Sequence, residues 1–163
     1  MKTLVIYYSY EGNTEFIAKT IAEHLGADLL KLEPENEKKH TGFMKYIWGG
    51  KQVFFSKRPE LKPFDKNPSD YDRLIIGTPV WAFTFAPALG SFFEKSDIEN
   101  KQIALFCCSQ GMNGNVFKNM RLMLDRNEII GEMAFVEPLS HDSANCAQRA
   151  IYWVEGLTSV YKE

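Results

Sequence analysis

Apolar positions run through this chain in two rhythms. Thr3 to Tyr8 is a continuous run of β-branched, aliphatic and aromatic residues, the pattern of a strand covered on both faces. Behind it, Phe16, Ile17, Ala18, Ile21, Ala22 and Leu25 recur at helical spacing, with Gly26 as the stop. Ala27 to Leu32 reads as a second strand closed by Pro34, and Leu74 to Gly77 as a third. Leu89, Phe92 and Phe93 mark the helix that follows. Ile103 to Cys108 predicts a fourth strand, with Val116, Phe117, Met120 and Leu124 at helical spacing after it. Met133 to Val136 predicts a fifth, ended by Glu137-Pro138. The last helix starts at about Asp142, with Ala147, Ile151, Val154 and Leu157 on its buried face.

Strand followed by helix, five times over, is the signature of an α/β sheet built from parallel crossovers. In doubly wound sheets ligands sit beyond the carboxyl ends of the strands, where the strand order reverses. Three loops therefore carry the candidate chemistry: those after Tyr8, after Gly77 and after Cys108. One stretch departs from the rhythm. Residues 34–70 hold Pro34, Pro59, Pro63 and Pro68 and no strong strand, and a connection that long has structure or function of its own. Within it Phe43, Met44, Ile47 and Trp48 fit a short amphipathic helix ended by Gly49-Gly50. From Pro34 to Arg73 there are nine Lys or Arg against six Asp or Glu, so this excursion is basic. It either meets an acidic partner or is simply solvated.

Composition narrows the classes. A chain of 163 residues, 45% hydrophobic and 25% charged, predicts one globular domain over 1–163. A net charge of -2 offers no basic field for nucleic acid, and no apolar run approaches a membrane span. The N-terminus lacks the pattern of a signal peptide, which predicts a cytoplasmic protein. Cys107, Cys108 and Cys146 are odd in number and show no CxxC spacing, so they read as buried free thiols rather than a disulfide or metal set. His141-Asp142-Ser143 places three catalytic residue types together, but sequence neighbours cannot form a relay; Asp142 or Ser143 reads as a helix cap.

The first loop, Ser9-Tyr10-Glu11-Gly12-Asn13-Thr14, leads straight into a helix N-terminus. Free amides and the positive end of the helix dipole make such a place an anion site. Ser9 and Thr14 can donate to phosphate oxygens, and Gly12 can take the positive φ that lets amides converge. An ordinary cap by Asn13 or Thr14 is the competing reading. Neither GxGxxG nor GxxxxGK[ST] is present, and no acidic residue ends strand one, which removes dinucleotide, nucleotide-triphosphate and receiver-domain readings. In the second loop, Thr78-Pro79-Val80-Trp81-Ala82-Phe83-Thr84-Phe85-Ala86-Pro87, Trp81 and Phe83 suit the face of a planar ring; alternatively they cover the sheet edge or a helix. The third, Ser109-Gln110-Gly111 with Gly114 and Asn115, offers amides and side-chain donors to a heterocycle.

Taken together, these segments resemble the flavodoxins, which bind FMN non-covalently. Ser9 to Thr14 is similar to their [S/T]-x-T-G-N-T phosphate loop, Gly77-Thr78-Pro79-Val80-Trp81 to a ring-covering loop, and Cys108-Ser109-Gln110-Gly111 to their third FMN loop. The resemblance implies a three-layer flavodoxin-like fold with a five-stranded parallel sheet in the order 2-1-3-4-5. It implies one FMN as cofactor. Ser9, Tyr10, Glu11, Gly12, Asn13 and Thr14 would serve the phosphate. Thr78, Pro79, Val80, Trp81, Ala82 and Phe83 would cover the ring, with Ser109, Gln110, Gly111, Gly114 and Asn115 along its other edge. No catalytic acid, base or nucleophile and no metal is required, because the flavin supplies the chemistry.

Two departures matter. Glu11 stands where the family has Thr, so its carboxylate must face solvent. The second loop has no Gly, whereas in flavodoxins a Gly eases a peptide flip beside the ring on one-electron reduction; a residue with a Cβ in the left-handed region costs ~1–2 kcal/mol. That implies behaviour closer to two-electron reduction, which points toward a reductase over a pure electron carrier. The functions implied are an electron carrier between redox partner proteins, an NAD(P)H-dependent FMN reductase acting on quinone-like or other small-molecule acceptors, or an interaction module that has lost FMN.

Overall fold

A computed structural model describes residues 1–37 and 58–159, so the helix expected at Phe43–Trp48 lies outside the described residues. Strands β1 (Thr3–Tyr7), β2 (Asp28–Lys31), β3 (Arg73–Trp81), β4 (Thr84–Phe85), β5 (Gln102–Ser109) and β6 (Glu128–Val136) alternate with helices α1 (Asn13–Leu25), α2 (Pro87–Lys95), α3 (Val116–Met123) and α4 (Ser143–Ser159). The sheet order is β2-β1-β3-β5-β6, all parallel, with β4 attached to β3. These five parallel strands stand in the order expected. No helix among the described residues is long and apolar enough to cross a membrane.

The alternation of side chains along each strand builds two cores. Leu4, Ile6 and Tyr8, with Leu74, Ile76, Ile103, Leu105 and Cys107, face α2 and α3. Val5, Tyr7, Ile75, Ala104, Phe106 and Cys108 face α1 and α4. Each fully buried aliphatic of this kind contributes ~1.5–3 kcal/mol. The period of two also separates the adjacent Cys107 and Cys108, which lie buried and free on opposite faces.

Several boundaries differ from the sequence expectation. β3 runs four residues beyond Gly77: Thr78 and Pro79 pair with Cys107 and Cys108 of β5, and Val80 and Trp81 pair antiparallel with Phe85 and Thr84. Thr78–Trp81 is therefore strand rather than loop, and a two-residue hairpin turn follows at Ala82–Phe83. β6 begins at Glu128, five residues ahead of Met133; Gly131 and two Glu side chains break its apolar pattern, and a register irregularity near Ile130 bends it. The buried face of α4 is Cys146, Ala150, Val154 and Leu157, one position round from Ala147 and Ile151. Asp142 caps α4, its Oδ1 accepting from Asn145 N at 3.1 Å, as expected of that run. The ends of the long excursion are stitched together: Glu35 N donates to Glu60 O and Lys62 N to Glu33 O, both at 2.8 Å.

At the centre of the sheet Gly77 lies under the ring of Phe106; a Cβ there would stand 2.0 Å from Phe106 Cζ. Overpacking a core costs typically ~1–3 kcal/mol. Gly77→Ala should therefore lower the unfolding free energy by at least about 2 kcal/mol in a urea titration. A variant of wild-type stability would show that Phe106 does not occupy that space.

Candidate functional site

The order of the sheet reverses between β1 and β3, because the chain leaves β1 toward β2 and returns on the other side. A cleft of about 500 Å³ opens there, at the carboxyl ends of β1, β3 and β5. Ser9, Tyr10, Glu11, Asn13, Thr14, Pro79, Val80, Trp81, Ala82, Phe83, Cys108, Ser109, Gln110, Met112 and Glu137 line it. Fourteen residues thus come from three segments far apart in sequence, strand ends, the turns that follow them and the first turn of α1, and Glu137 comes from a fourth. A second depression, at the amino ends of the strands, is open and polar; its Arg126 is committed to Asp97 and Glu99 at 2.6 and 2.7 Å.

In the first loop no side-chain cap forms: the N-cap of α1 is Gly12, at φ 99°. Gly12 N instead donates to Ser9 Oγ at 3.2 Å, and Gly12 O accepts from Phe16 N at 2.9 Å. The expected alternative, a cap by Asn13 or Thr14, does not form. Asn13 Oδ1 accepts from Leu139 N at 2.9 Å, which leaves its Nδ2 as a donor at the loop. Thr14 is 1% exposed, and its hydroxyl is hydrogen-bonded to the Cys108 thiol. The first-turn amides of α1 therefore keep their donors uncommitted beside a cleft. Glu11 is exposed at the rim, as its charge requires.

The second segment is a hairpin rather than an open loop. Ala82 and Phe83 occupy its two-residue turn at φ 41° and 68°. Both are left-handed, the geometry that Asn-Gly ordinarily serves. The cost of ~1–2 kcal/mol for each Cβ in this region, expected of a peptide flip, is thus already carried by the resting fold. Trp81 packs edge-on against Tyr8 at 5.4 Å and Tyr10 at 6.0 Å between ring centroids. Tyr8 in turn donates to Glu37, and burial first, then that carboxylate, push its phenol well above the ordinary range. Thr78 does not reach the cleft: fully buried, its Oγ1 accepts from Ala86 N at 3.0 Å and donates to Pro79 O at 2.9 Å.

In the third loop Ser109 is occupied in shaping the turn. Its Oγ accepts from Gly111 N at 3.1 Å and meets Asn113 Oδ1 at 3.0 Å, and Gly111 sits at φ 114°. Gln110 and Met112 are exposed along the cleft. Gly114 and Asn115 stand behind it, against Phe83. A fourth loop, which the sequence pattern alone does not single out, also reaches the cleft. Glu137, at φ 38°, donates its N–H to Ser109 O at 3.0 Å, and its carboxylate pairs with His141 Nδ1 at 3.3 Å. Its neighbour Leu139 lies over Gly12, 3.2 Å from where a Cβ would be. The signal available was Glu137-Pro138 at the carboxyl end of a strand, the same kind of position as the other three.

Comparison with known proteins agrees with this picture. The family model described as Flavodoxin matches residues 2–133. No curated protein matches the chain in sequence. A candidate flavoprotein from Bacteroides uniformis is similar in structure at TM-score 0.79 and 21% identity, over 94% of this chain and 97% of that one. One from Bacteroides eggerthii is similar at 0.76 and 21%, over 96% and 98%. A flavoprotein in complex with FMN from Lactobacillus acidophilus is similar at 0.66 and 22%, over 87% and 97%. At such identities these likenesses speak to the fold.

Burial pushes the Cys107 thiol up to about 12 and the Cys108 thiol higher still, the hydrogen bond with Thr14 pulling only partly the other way. Both should therefore stay unmodified by an aromatic disulfide reagent at pH 8 and react only after urea unfolding. Rapid native-state labelling of Cys108, located by peptide mass, would show that the floor of the cleft is open to solvent.

Proposed function

Since the chain belongs to the flavodoxin family, we propose that its cleft binds one FMN non-covalently and that the protein transfers electrons through it. The observation that carries this reading is the uncapped amino end of α1 beside the cleft, with Gly12 as N-cap. A phosphate there meets the first-turn amides, the Nδ2 of Asn13 and the helix dipole. The other end of the cleft suits a flat apolar group with a polar edge. Pro79, Val80, Trp81, Ala82, Phe83 and Met112 supply apolar surface, and the side chain of Gln110 supplies a polar edge. Its volume of about 500 Å³ lies within the ~300–1,000 Å³ of small-molecule sites.

FMN, when bound, would supply one- and two-electron redox chemistry. The chain's own task is then to hold it and to set its surroundings. The aromatic group Tyr8, Tyr10 and Trp81 braces one wall, and the buried thiol of Cys108 forms part of an uncharged floor. Among the described residues the cleft is lined by two carboxylates, Glu11 and Glu137, and by no Lys or Arg. A pyridine nucleotide would bring its pyrophosphate against negative charge, at a cost of like-charge repulsion. This favours an electron carrier between protein partners over an NAD(P)H-dependent reductase.

Two measurements test the reading. FMN should bind at least about tenfold more tightly than riboflavin in a fluorescence titration, because even one hydrogen bond to a charged group is worth ~1.5–3 kcal/mol. Equal dissociation constants would remove the phosphate site. Asn13→Asp keeps the acceptor for Leu139 N but replaces the Nδ2 donor with a carboxylate oxygen. It should weaken FMN by a further tenfold or so while leaving riboflavin binding within about twofold, by the same energy range.

A further inference from the structure

We propose that Gly114 is a positioning residue for the cleft: having no side chain, it lets the third loop press on Phe83 and hold the Ala82–Phe83 turn in its doubly left-handed form. The ligand in this argument rests on the FMN reading above; the latch itself rests on geometry. A two-residue turn with positive φ at both positions is ordinarily encoded by Asn-Gly, and neither Ala nor Phe favours it. Backbone held in sparsely populated regions persists only where its surroundings over-determine it.

The surroundings here do so from outside the hairpin. Asn115 N donates to Phe83 O at 2.8 Å. Asn119 Nδ2, from α3, donates to Thr84 Oγ1 at 2.8 Å. At the base of the hairpin Ala86 N donates to Thr78 Oγ1 at 3.0 Å. Between these ties sits Gly114, itself left-handed at φ 54°. A Cβ on it would stand 2.4 Å from Phe83 Cβ, 2.6 Å from Phe83 Cα and 2.7 Å from Phe83 O. Two of those three atoms are backbone, so no change of rotamer relieves the contact. The turn itself would have to move.

What would move with it is the cleft. Trp81, Ala82 and Phe83 line it, whereas Gly114, Thr84 and Asn119 do not. Thr84 and Asn119 therefore act on a ligand through the position of the hairpin, whereas Gly114 also shares the third loop with the lining residues Ser109, Gln110 and Met112, which is why the Thr84 variants accompany it. The phosphate end, built on α1 and the first loop, shares none of these hydrogen bonds and meets the hairpin through the edge-on packing of Trp81 on Tyr10. Loss of the latch should weaken whatever lies against the hairpin and leave discrimination at the phosphate end unchanged.

The experiment uses the full chain with Gly114→Ala, Thr84→Val and Thr84→Ser. For each variant, FMN and riboflavin dissociation constants, the visible flavin spectrum, and amide exchange at Asn115 in the ligand-free protein would be measured. Gly114→Ala should weaken both flavins at least tenfold, shift the spectrum and speed Asn115 exchange, with the FMN-to-riboflavin ratio kept at its wild-type value. Thr84→Val should do the same more weakly, and Thr84→Ser, which keeps the hydroxyl, should restore wild-type behaviour. Wild-type flavin affinities, spectrum and exchange in Gly114→Ala would overturn the proposal. If the wild-type chain binds no flavin, Asn115 exchange alone decides: faster exchange in Gly114→Ala upholds the latch and unchanged exchange rejects it. If Gly114→Ala does not fold, the Thr84→Val and Thr84→Ser pair decides in its place, with identical behaviour of the two rejecting the latch.

Discussion

The register between β3 and β5 is the constraint from which the cleft follows. Gly77 opposite Phe106, Thr78 opposite Cys107 and Pro79 opposite Cys108 form one continuous pairing. Because side chains alternate along a strand, a slip of one residue would carry every apolar position in this pairing to the wrong face. Phe106 closes over Gly77 from the β5 side, where a larger residue would be excluded. With that pairing set, β3 emerges from the sheet beside β5, and the hairpin beyond Pro79 meets the third loop. The position of the cleft is thus decided in the core, several residues before the chain reaches it.

What the sequence made legible follows from how much each element depends on burial. Strands covered on both faces read as unbroken apolar runs, so β1 and the central parts of β3 and β5 were visible at once. Edge positions were not. β6 carries Glu128, Gly131 and Glu132 within its first half, because an edge strand tolerates polar residues and a bend, and only its last residues looked like a strand. Pro79 concealed the extension of β3 in a different way. A proline seldom sits in a strand interior, yet here it pairs with Cys108 at the margin of the sheet, where the missing N–H costs little. The two-residue hairpin at Ala82–Phe83 was hidden for the complementary reason: its turn lacks the residues by which such turns are recognised.

The candidate site shows the same division. The first loop was legible because Ser, Gly, Asn and Thr before a helix have few structural purposes. The absence of a side-chain cap was not, since it depends on Asn13 Oδ1 being taken by Leu139 N, 126 residues away in sequence. Thr78 and Ser109 looked like ligand donors, yet their hydroxyls are spent on Ala86 N and Gly111 N. They shape the segments that others use to line the cleft. Long-range partners of this kind leave no trace in local spacing.

Strain is distributed unevenly over the molecule, and the pattern has a physical reading. Of the five residues other than Gly with positive φ among the described residues, Ala82, Phe83 and Glu137 line the cleft and Asp142 follows the same loop as Glu137. Two of them are tied by hydrogen bonds to a neighbouring loop, Phe83 O to Asn115 N and Glu137 N to Ser109 O, while Asp142 O accepts from Cys146 N in the first turn of α4. Loops that each adopted their own preferred backbone would not converge on a common cavity. Convergence requires some of them to accept unfavourable dihedrals, and the cross-loop bonds offset that cost. A cleft assembled this way is rigid before any ligand arrives, because relaxing one loop means breaking its bond to the next. That rigidity lowers the ordering cost of binding a flat, inflexible ring, and it makes the contacts behind the cleft, rather than those inside it, the ones that set its shape.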